Sequence, residues 1–148
     1  MTDDIPRLRR PKDTPPIRSQ ADLYRQWRAL MGDLGFGSSQ VFMIVLDEND
    51  RFTPVVQNIV ELPDVPDADA IDGLMTFCRM LLDEIVPRGS AAFLFARPGP
   101  SGITASDRAW ATRLAIAARD HGVASHPVHL ANDDEVRVFA PDDEIASA

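Results

Sequence analysis

Residues 91–121 constrain the fold of this chain more than any other stretch. The apolar run AAFLFA at 91–96 is short and bounded, which predicts a buried β-strand. The loop PGPSG at 98–102 follows, and it is too rich in proline and glycine to continue the strand or begin a helix. Thr104 and Asp107 have the spacing of a helix capping box, so a helix is predicted to begin there. A strand, a glycine-rich turn and a helix N-terminus in succession form a common ligand-binding arrangement in α/β proteins.

The same stretch resembles the JAB/MPN metalloprotease-like family, in particular its RadC-like branch. The sequence Pro-Ser-Gly at 100–102 matches the family's turn, and Thr104 with Asp107 matches its Thr-x-x-Asp motif. In that family the strand ends in His-x-His, and the two histidines and the aspartate hold a zinc ion. The resemblance implies an α/β fold of the JAB/MPN (cytidine-deaminase-like) architecture, a three-layer α-β-α sandwich with a mixed central sheet.

The zinc ligands that this resemblance implies are missing from the chain. The two histidine positions fall on Arg97 and Gly99. Neither residue ligates zinc, because a guanidinium stays protonated and glycine has no side chain. The family's general base, commonly a glutamate ahead of the first strand, falls on Gln40, whose amide cannot take up a proton at neutral pH. Asp107 alone keeps a metal-binding side chain, so we expect no metal, no cofactor and no catalytic residue at this site.

Hydrophobic periodicity predicts the order α β β α β α β β in a single domain. The predicted helices cover residues 19–34, 70–86 and 105–122, and the predicted strands cover residues 41–46, 51–60, 91–96, 123–130 and 136–139. Pro54 lies inside the second strand, which predicts an edge position or a bulge. Cys78 lies in the middle of the apolar stripe of the second helix, so a buried and inert thiol is expected.

Composition predicts one folded domain at residues 19–140 between two polar ends. Residues 1–18 combine five basic residues, three acidic residues and four prolines, which predicts a disordered arm, or alternatively a partner-binding one. Residues 141–148 are predicted to form a frayed polar tail. The net charge of −8 disfavours nonspecific binding of nucleic acid by the folded body. No apolar run approaches the ~20 residues of a membrane span, and a single cysteine fits a reducing compartment, so a cytoplasmic protein is expected.

Three functions remain open at this stage. The first is a non-catalytic JAB/MPN-like binding or scaffolding module, acting on a protein partner or through self-association at the apolar sheet edge. The second is a metal-dependent hydrolase or isopeptidase with relocated ligands that include Asp107 and one histidine. The third is a small-anion-binding domain that uses Arg97, Ser101, Gly102 and Thr104. A simpler role for Arg97 is an ion pair with Asp107 in place of the zinc ion.

Other polar clusters are given structural roles. His126 and His129 are three residues apart on a predicted strand, where side chains at that spacing point to opposite faces, so they should not share a metal. We expect a structural or surface role for both, and for His121. The acidic runs at 47–50, 133–135 and 142–144 lack the spacing of a calcium loop and are predicted to be solvated turns.

Overall fold

The computed structural model describes residues 5–140, which form a five-stranded mixed sheet with three α-helices. The elements in chain order are α1 (Gln20–Met31), β1 (Gln40–Leu46), β2 (Phe52–Ile59), α2 (Ala68–Glu84), β3 (Ser90–Ala96), α3 (Ala105–Asp120), β4 (His129–Ala131) and β5 (Val136–Val138). The predicted α/β class and the predicted order of helices and strands are therefore confirmed.

The strands lie in the order β2-β1-β3-β4-β5, with β3 at the centre. β1 is antiparallel to both of its neighbours, β3 and β4 are parallel, and β4 and β5 are antiparallel. α3 makes the crossover between the two parallel strands, so the turn before α3 lies at the end of the central strand. Pro54 lies in β2, an edge strand whose register with β1 shifts between Ile44 and Leu46. The edge position and the bulge that Pro54 predicted are both present.

Helices cover both faces of the sheet. Successive side chains of a strand point to opposite faces, so Phe93 and Phe95 pack against α2 and α3, whereas Leu94 packs on the side of α1. Trp27 of α1 and Trp110 of α3 are among the largest fully buried side chains, one on each face. The result is one helix, then the sheet, then two helices. A continuous apolar run such as β3 is what a strand buried on both faces requires.

The first helix ends three residues before its predicted end. Gly32 follows Met31 with φ 58, a left-handed conformation that glycine adopts without a steric penalty. The prediction placed the stop at Gly35, because the apolar spacing continues to Leu34. Leu34 lies instead in the loop after α1 and packs against the core on that side of the sheet. The predicted end of the helix was therefore wrong, although Leu34 beyond it is partly buried.

Most of the strand predicted at residues 123–130 is not a strand. Ser125 makes an isolated parallel bridge to Ala91, and β4 begins only at His129, opposite Leu94. From one pairing to the next, β3 advances three residues (91 to 94) and its partner advances four (125 to 129). The extra residue is a bulge, and it moves every following side chain to the other face of the sheet.

This bulge corrects the prediction for the histidines. His126 and His129 lie on the same face of the sheet rather than on opposite faces, yet they do not share a site. The imidazole of His126 is hydrogen-bonded to Ser90 at the start of β3, and His129 is fully buried. The third histidine, His121, lies 3.4 Å from a carboxylate oxygen of Asp72. The three side chains therefore have three separate environments.

The segment before α1 is packed against the domain. A short 3-10 turn at Pro11–Asp13 leads to Ile17, which is buried on the α1 side of the sheet. The backbone N–H of Ile17 donates to the carbonyl oxygen of Asp50 at 2.7 Å. The structure therefore differs at residues 11–17 from the predicted disordered arm, since Ile17 supplies an apolar side chain to the core. Residues 1–4 and the predicted tail at 141–148 lie outside the described residues.

Cys78 of α2 is a free thiol with no exposed surface, as its place in the apolar stripe predicted. Burial raises the pKa of this thiol to about 11, so the reactive thiolate is scarce at neutral pH.

Within residues 5–140, no helix combines the length and the apolar character needed to cross a membrane.

His129 should make the stability of the fold depend on pH. Burial lowers the pKa of His129 from its usual 6.5 to about 4. Between these values the unfolded chain binds a proton that the folded chain does not, so the free energy of unfolding should fall as the pH falls. The full difference corresponds to about 3 kcal/mol.

Urea unfolding followed by tryptophan fluorescence, between about pH 7 and about pH 4, measures this loss. A His129→Gln variant should lose less stability over the same range. Equal losses in the two proteins would show that other groups cause the pH dependence.

Candidate functional site

The candidate site is the turn that joins the end of β3 to the start of α3. Arg97 continues the sheet by donating its backbone N–H to the carbonyl oxygen of Ala131 at 3.1 Å. The chain then reverses through Gly99 and Gly102, whose φ angles are 108 and 107. Side chains other than hydrogen are disfavoured at such angles, so the glycines of this turn are needed for its shape. Thr104 follows as the N-cap of α3.

A buried ion pair lies inside this turn. The Arg97 Nε donates to both carboxylate oxygens of Asp107, at 2.9 and 3.1 Å. The two side chains are only 10% and 3% exposed. The remaining guanidinium nitrogens donate to the backbone carbonyls of Pro98 (3.1 Å) and Gly102 (3.0 Å). The simpler role predicted for Arg97, a pair with Asp107, is confirmed.

Asp107 also closes the capping box of α3. Its Oδ2 accepts the backbone N–H of Thr104 at 2.9 Å, and the hydroxyl of Thr104 accepts the backbone N–H of Asp107 at 3.0 Å. The carboxylate therefore accepts hydrogen bonds from a cation and from a backbone amide at once. Both of its oxygens are occupied, which leaves Asp107 poorly placed to hold a metal ion.

The acidic run at residues 133–135 forms the predicted turn, with Asp133 and Asp134 exposed, and it also makes contacts that the prediction did not include. It lies between β4 and β5, and each of its carboxylates accepts one backbone N–H of the glycine-rich turn. The pairs are Gly99 with Asp133 (2.8 Å), Ser101 with Asp134 (2.7 Å) and Gly102 with Glu135 (3.3 Å). The amides predicted to bind a small anion are therefore filled by carboxylates of the same chain.

The acidic turn has its own support. Asn132 is buried, and its side-chain oxygen accepts the backbone N–H groups of Asp134 and Glu135, both at 2.9 Å. Asp133 also accepts the backbone N–H of Phe36 at 3.2 Å, which joins the loop after α1 to the same cluster. Sequence analysis missed this cluster, because nothing in the spacing of three acidic residues indicates which amides they contact.

The four positions that match the zinc site of the JAB/MPN-like family lie at the same end of the sheet. Gln40 is the first residue of β1 and pairs with Ala96, the residue before Arg97. Its side-chain oxygen accepts a hydrogen bond from the amide of Asn58 at 3.3 Å. A side chain added at Gly99 would meet the guanidinium of Arg97 at 3.0 Å. The structure thus joins Arg97 to Asp107, and directs Gln40 toward β2.

A shallow cavity of 840 Å³ opens beside this turn. One wall is the loop before α2, which is held to α3 by two hydrogen bonds: the indole N–H of Trp110 to Pro63 (3.0 Å) and the hydroxyl of Ser106 to Asp64 (2.6 Å). Arg97 lines the opposite wall. Over residues 5–140, no group of three or more histidine, cysteine, aspartate or glutamate side chains is arranged to hold a metal ion.

Comparisons of the chain with protein-family models, with curated proteins and with solved structures gave no match. The family resemblance therefore rests on the sequence of this chain alone.

Replacing Arg97 with methionine should lower the free energy of unfolding by about 3–5 kcal/mol, because the carboxylate of Asp107 is left buried without its cation. Arg79→Met is the matched control. Arg79 pairs with Asp83 at 2.7 Å, but these side chains are 46% and 50% exposed. An exposed pair of this kind contributes about 1 kcal/mol or less. Urea unfolding measures both variants, and equal losses would contradict the importance assigned to the buried pair.

Proposed function

We propose that this chain is a binding module on a JAB/MPN scaffold of the RadC-like type, that the metalloprotease-type site of this scaffold is non-catalytic, and that the chain acts by self-association. The observation that carries the proposal is the buried ion pair between Arg97 and Asp107. Arginine is protonated at all physiological pH values, so a fixed positive charge lies beside the aspartate that would hold zinc in such a scaffold. A second cation at this position would be repelled.

Two further features favour the JAB/MPN scaffold. The domain begins with a helix followed by the hairpin of β1 and β2, and RadC-like domains begin with the same order of elements. The capping box of Thr104 and Asp107 starts the helix after the central strand, where the family has its Thr-x-x-Asp motif. The mixed sheet and its two helical layers are compatible with this architecture.

The two alternatives have less support. A hydrolase with relocated ligands would need several side chains close together that could coordinate a metal ion. Asp107 is instead paired with Arg97 and Thr104, and the three histidines lie in separate environments. An anion site at the turn would need free amides, and those of Gly99, Ser101 and Gly102 already donate to carboxylates. An incoming anion would also meet the charge of the acidic turn. Binding at another surface is favoured over both.

The surface we assign to self-association is the free edge of β2. This strand has eight residues, and no strand lies beyond it in the described sheet. Val56 within it and Val60 just after it are both exposed. An unpaired edge with apolar side chains is a template for another strand. A second copy can pair with it antiparallel about a two-fold axis, so that the same residues face each other across the interface.

Charge and redox chemistry bear on the partner and the compartment. The net charge of −8 opposes binding to nucleic acid, which favours a protein partner. Cys78 is a buried free thiol, which a reducing compartment preserves. We therefore propose a cytoplasmic protein whose partner is a second copy of the chain.

The absence of catalytic zinc is tested by metal analysis. Protein purified without metal-affinity resin and dialysed against zinc should retain far less than stoichiometric zinc, and Asp107→Ala should leave the metal content unchanged. Stoichiometric zinc that is lost in Asp107→Ala would overturn the proposal in favour of the relocated-ligand hydrolase.

Self-association is tested by sedimentation over a range of protein concentrations. The wild type should form dimers, and Val56→Lys should shift the protein to monomers, because two lysines would meet across the paired edges. Val65→Lys is the matched control, since Val65 is 75% exposed but lies in the loop before α2. A wild type that stays monomeric, or equal effects of the two variants, would exclude the β2 edge as the interface.

A further inference from the structure

A serine and a histidine are hydrogen-bonded at the opposite end of the sheet from the glycine-rich turn, and an aspartate lies near the histidine. The hydroxyl of Ser90, the first residue of β3, lies 2.8 Å from Nε2 of His126. His126 belongs to the segment before β4. Asp50, in the turn between β1 and β2, is close enough for its charge to raise the pKa of His126, against the larger opposite effect of burial. Three separate segments thus supply a hydroxyl, a base and a carboxylate.

The histidine is held rigidly by its neighbours. The backbone N–H of His126 donates to the carbonyl oxygen of Ala91 at 3.0 Å. Pro127 follows, and a residue before proline is restricted to extended conformations. Burial lowers the pKa of His126 below its usual 6.5, so the ring is neutral at pH 7 and can accept a proton. The position and the protonation state both suit a general base.

The serine is held just as closely. Ser90 pairs with Leu46 at the end of β1, and the preceding residue is Gly89. A side chain at Gly89 would lie 2.5 Å from the carbonyl oxygen of Leu46, so only glycine allows this approach of the two chains. The side chain of Ser90 is partly exposed beside the imidazole.

A cavity of 490 Å³ lies beside His126. Ser90 does not line this cavity, but its hydroxyl is hydrogen-bonded to the histidine that does. His126 and Asp50 line it together with Arg18 and Gln20. Gln20 is in the first turn of α1, whose N-terminus favours an anion, and Asp22 already supplies one carboxylate to this turn. Arg18 adds a fixed positive charge. The cavity therefore has one fixed positive charge, on Arg18, and one carboxylate, on Asp50, next to a neutral base.

We propose that Ser90 is a nucleophile activated by His126, and that the pair hydrolyses small acyl esters bearing a negative charge that binds at Arg18 and the start of α1. This activity is independent of the proposed self-association, because it uses neither the β2 edge nor the turn that holds Arg97.

The reaction uses only the ester and water. Oγ of Ser90 attacks the ester carbonyl carbon as its proton passes to Nε2 of His126. The bond from that carbon to the alcohol oxygen then breaks, and the leaving oxygen takes the proton from His126. The product is an ester of Ser90. Water, deprotonated by the same nitrogen, attacks this ester and releases the acid, and the proton returns to Oγ of Ser90.

A fluorophosphonate probe tests the nucleophile in the full-length protein. Mass spectrometry should locate the phosphonyl group on Ser90, and Ser90→Ala should abolish the labelling. His126→Gln should slow the labelling by about 100-fold or more, the lower range of a general-base contribution. Ser125→Ala is the control, because Ser125 is an exposed serine next to His126 in the chain and should not affect the rate. No labelling of the folded wild type, or unchanged labelling in His126→Gln, would overturn the proposal.

A second variant covers the case in which Ser90→Ala does not fold. Ser90→Cys keeps a nucleophile in place, and its thiol should react with iodoacetamide at neutral pH much faster than the buried Cys78, an internal reference.

The preference for a charged ester tests the role of the cavity. Nitrophenyl hemisuccinate should be cleaved faster than nitrophenyl acetate, and Arg18→Gln should remove that preference. Equal rates for the two esters in the wild type would contradict the role of Arg18.

Discussion

The buried pair of Arg97 and Asp107 is the interaction on which the candidate site depends. Removing a guanidinium and a carboxylate from water is costly unless each charge is matched and its remaining hydrogen-bonding groups are satisfied. Here the guanidinium also donates to the carbonyls of Pro98 and Gly102, and the carboxylate accepts the amide of Thr104. The turn and the first residues of α3 are therefore shaped around one pair of charges, and a change to either would disturb both elements.

The two ends of the sheet differ in how their polar groups are satisfied. At the end with Arg97, amides and charges are paired within the chain, and the acidic turn after β4 completes that pairing. At the end with Ser90, a hydroxyl and an imidazole are hydrogen-bonded to each other beside an open cavity that is lined by the start of α1. Because its polar groups are hydrogen-bonded within the chain, the first end stabilises the fold. The second end retains groups that a ligand can contact.

The sequence predicted best what depends on neighbouring residues. The apolar run at residues 91–96 and the spacing of Thr104 and Asp107 contain all that is needed to place a buried strand and a helix start. The end of α1 was misplaced, because Gly32 and Gly35 are equivalent by residue type and only the packing selects between them. The contacts of the acidic turn were missed because Asp133 and Gly99 lie 34 residues apart in the sequence. Contacts of that range leave no periodic signal in a single sequence.

The backbone at Gly99 also opposes a zinc ligand at this position of the proposed scaffold. Gly99 has φ 108, and a side chain there would contact the guanidinium of Arg97 at 3.0 Å. Histidine at position 99 would therefore strain the turn even if Arg97 were also replaced by histidine, because the φ angle disfavours any side chain. The carboxylates of the acidic turn hold this conformation through the amides of Gly99 and Gly102. A zinc site here would require a different shape of the turn, because the glycines hold the conformation in which the ion pair forms.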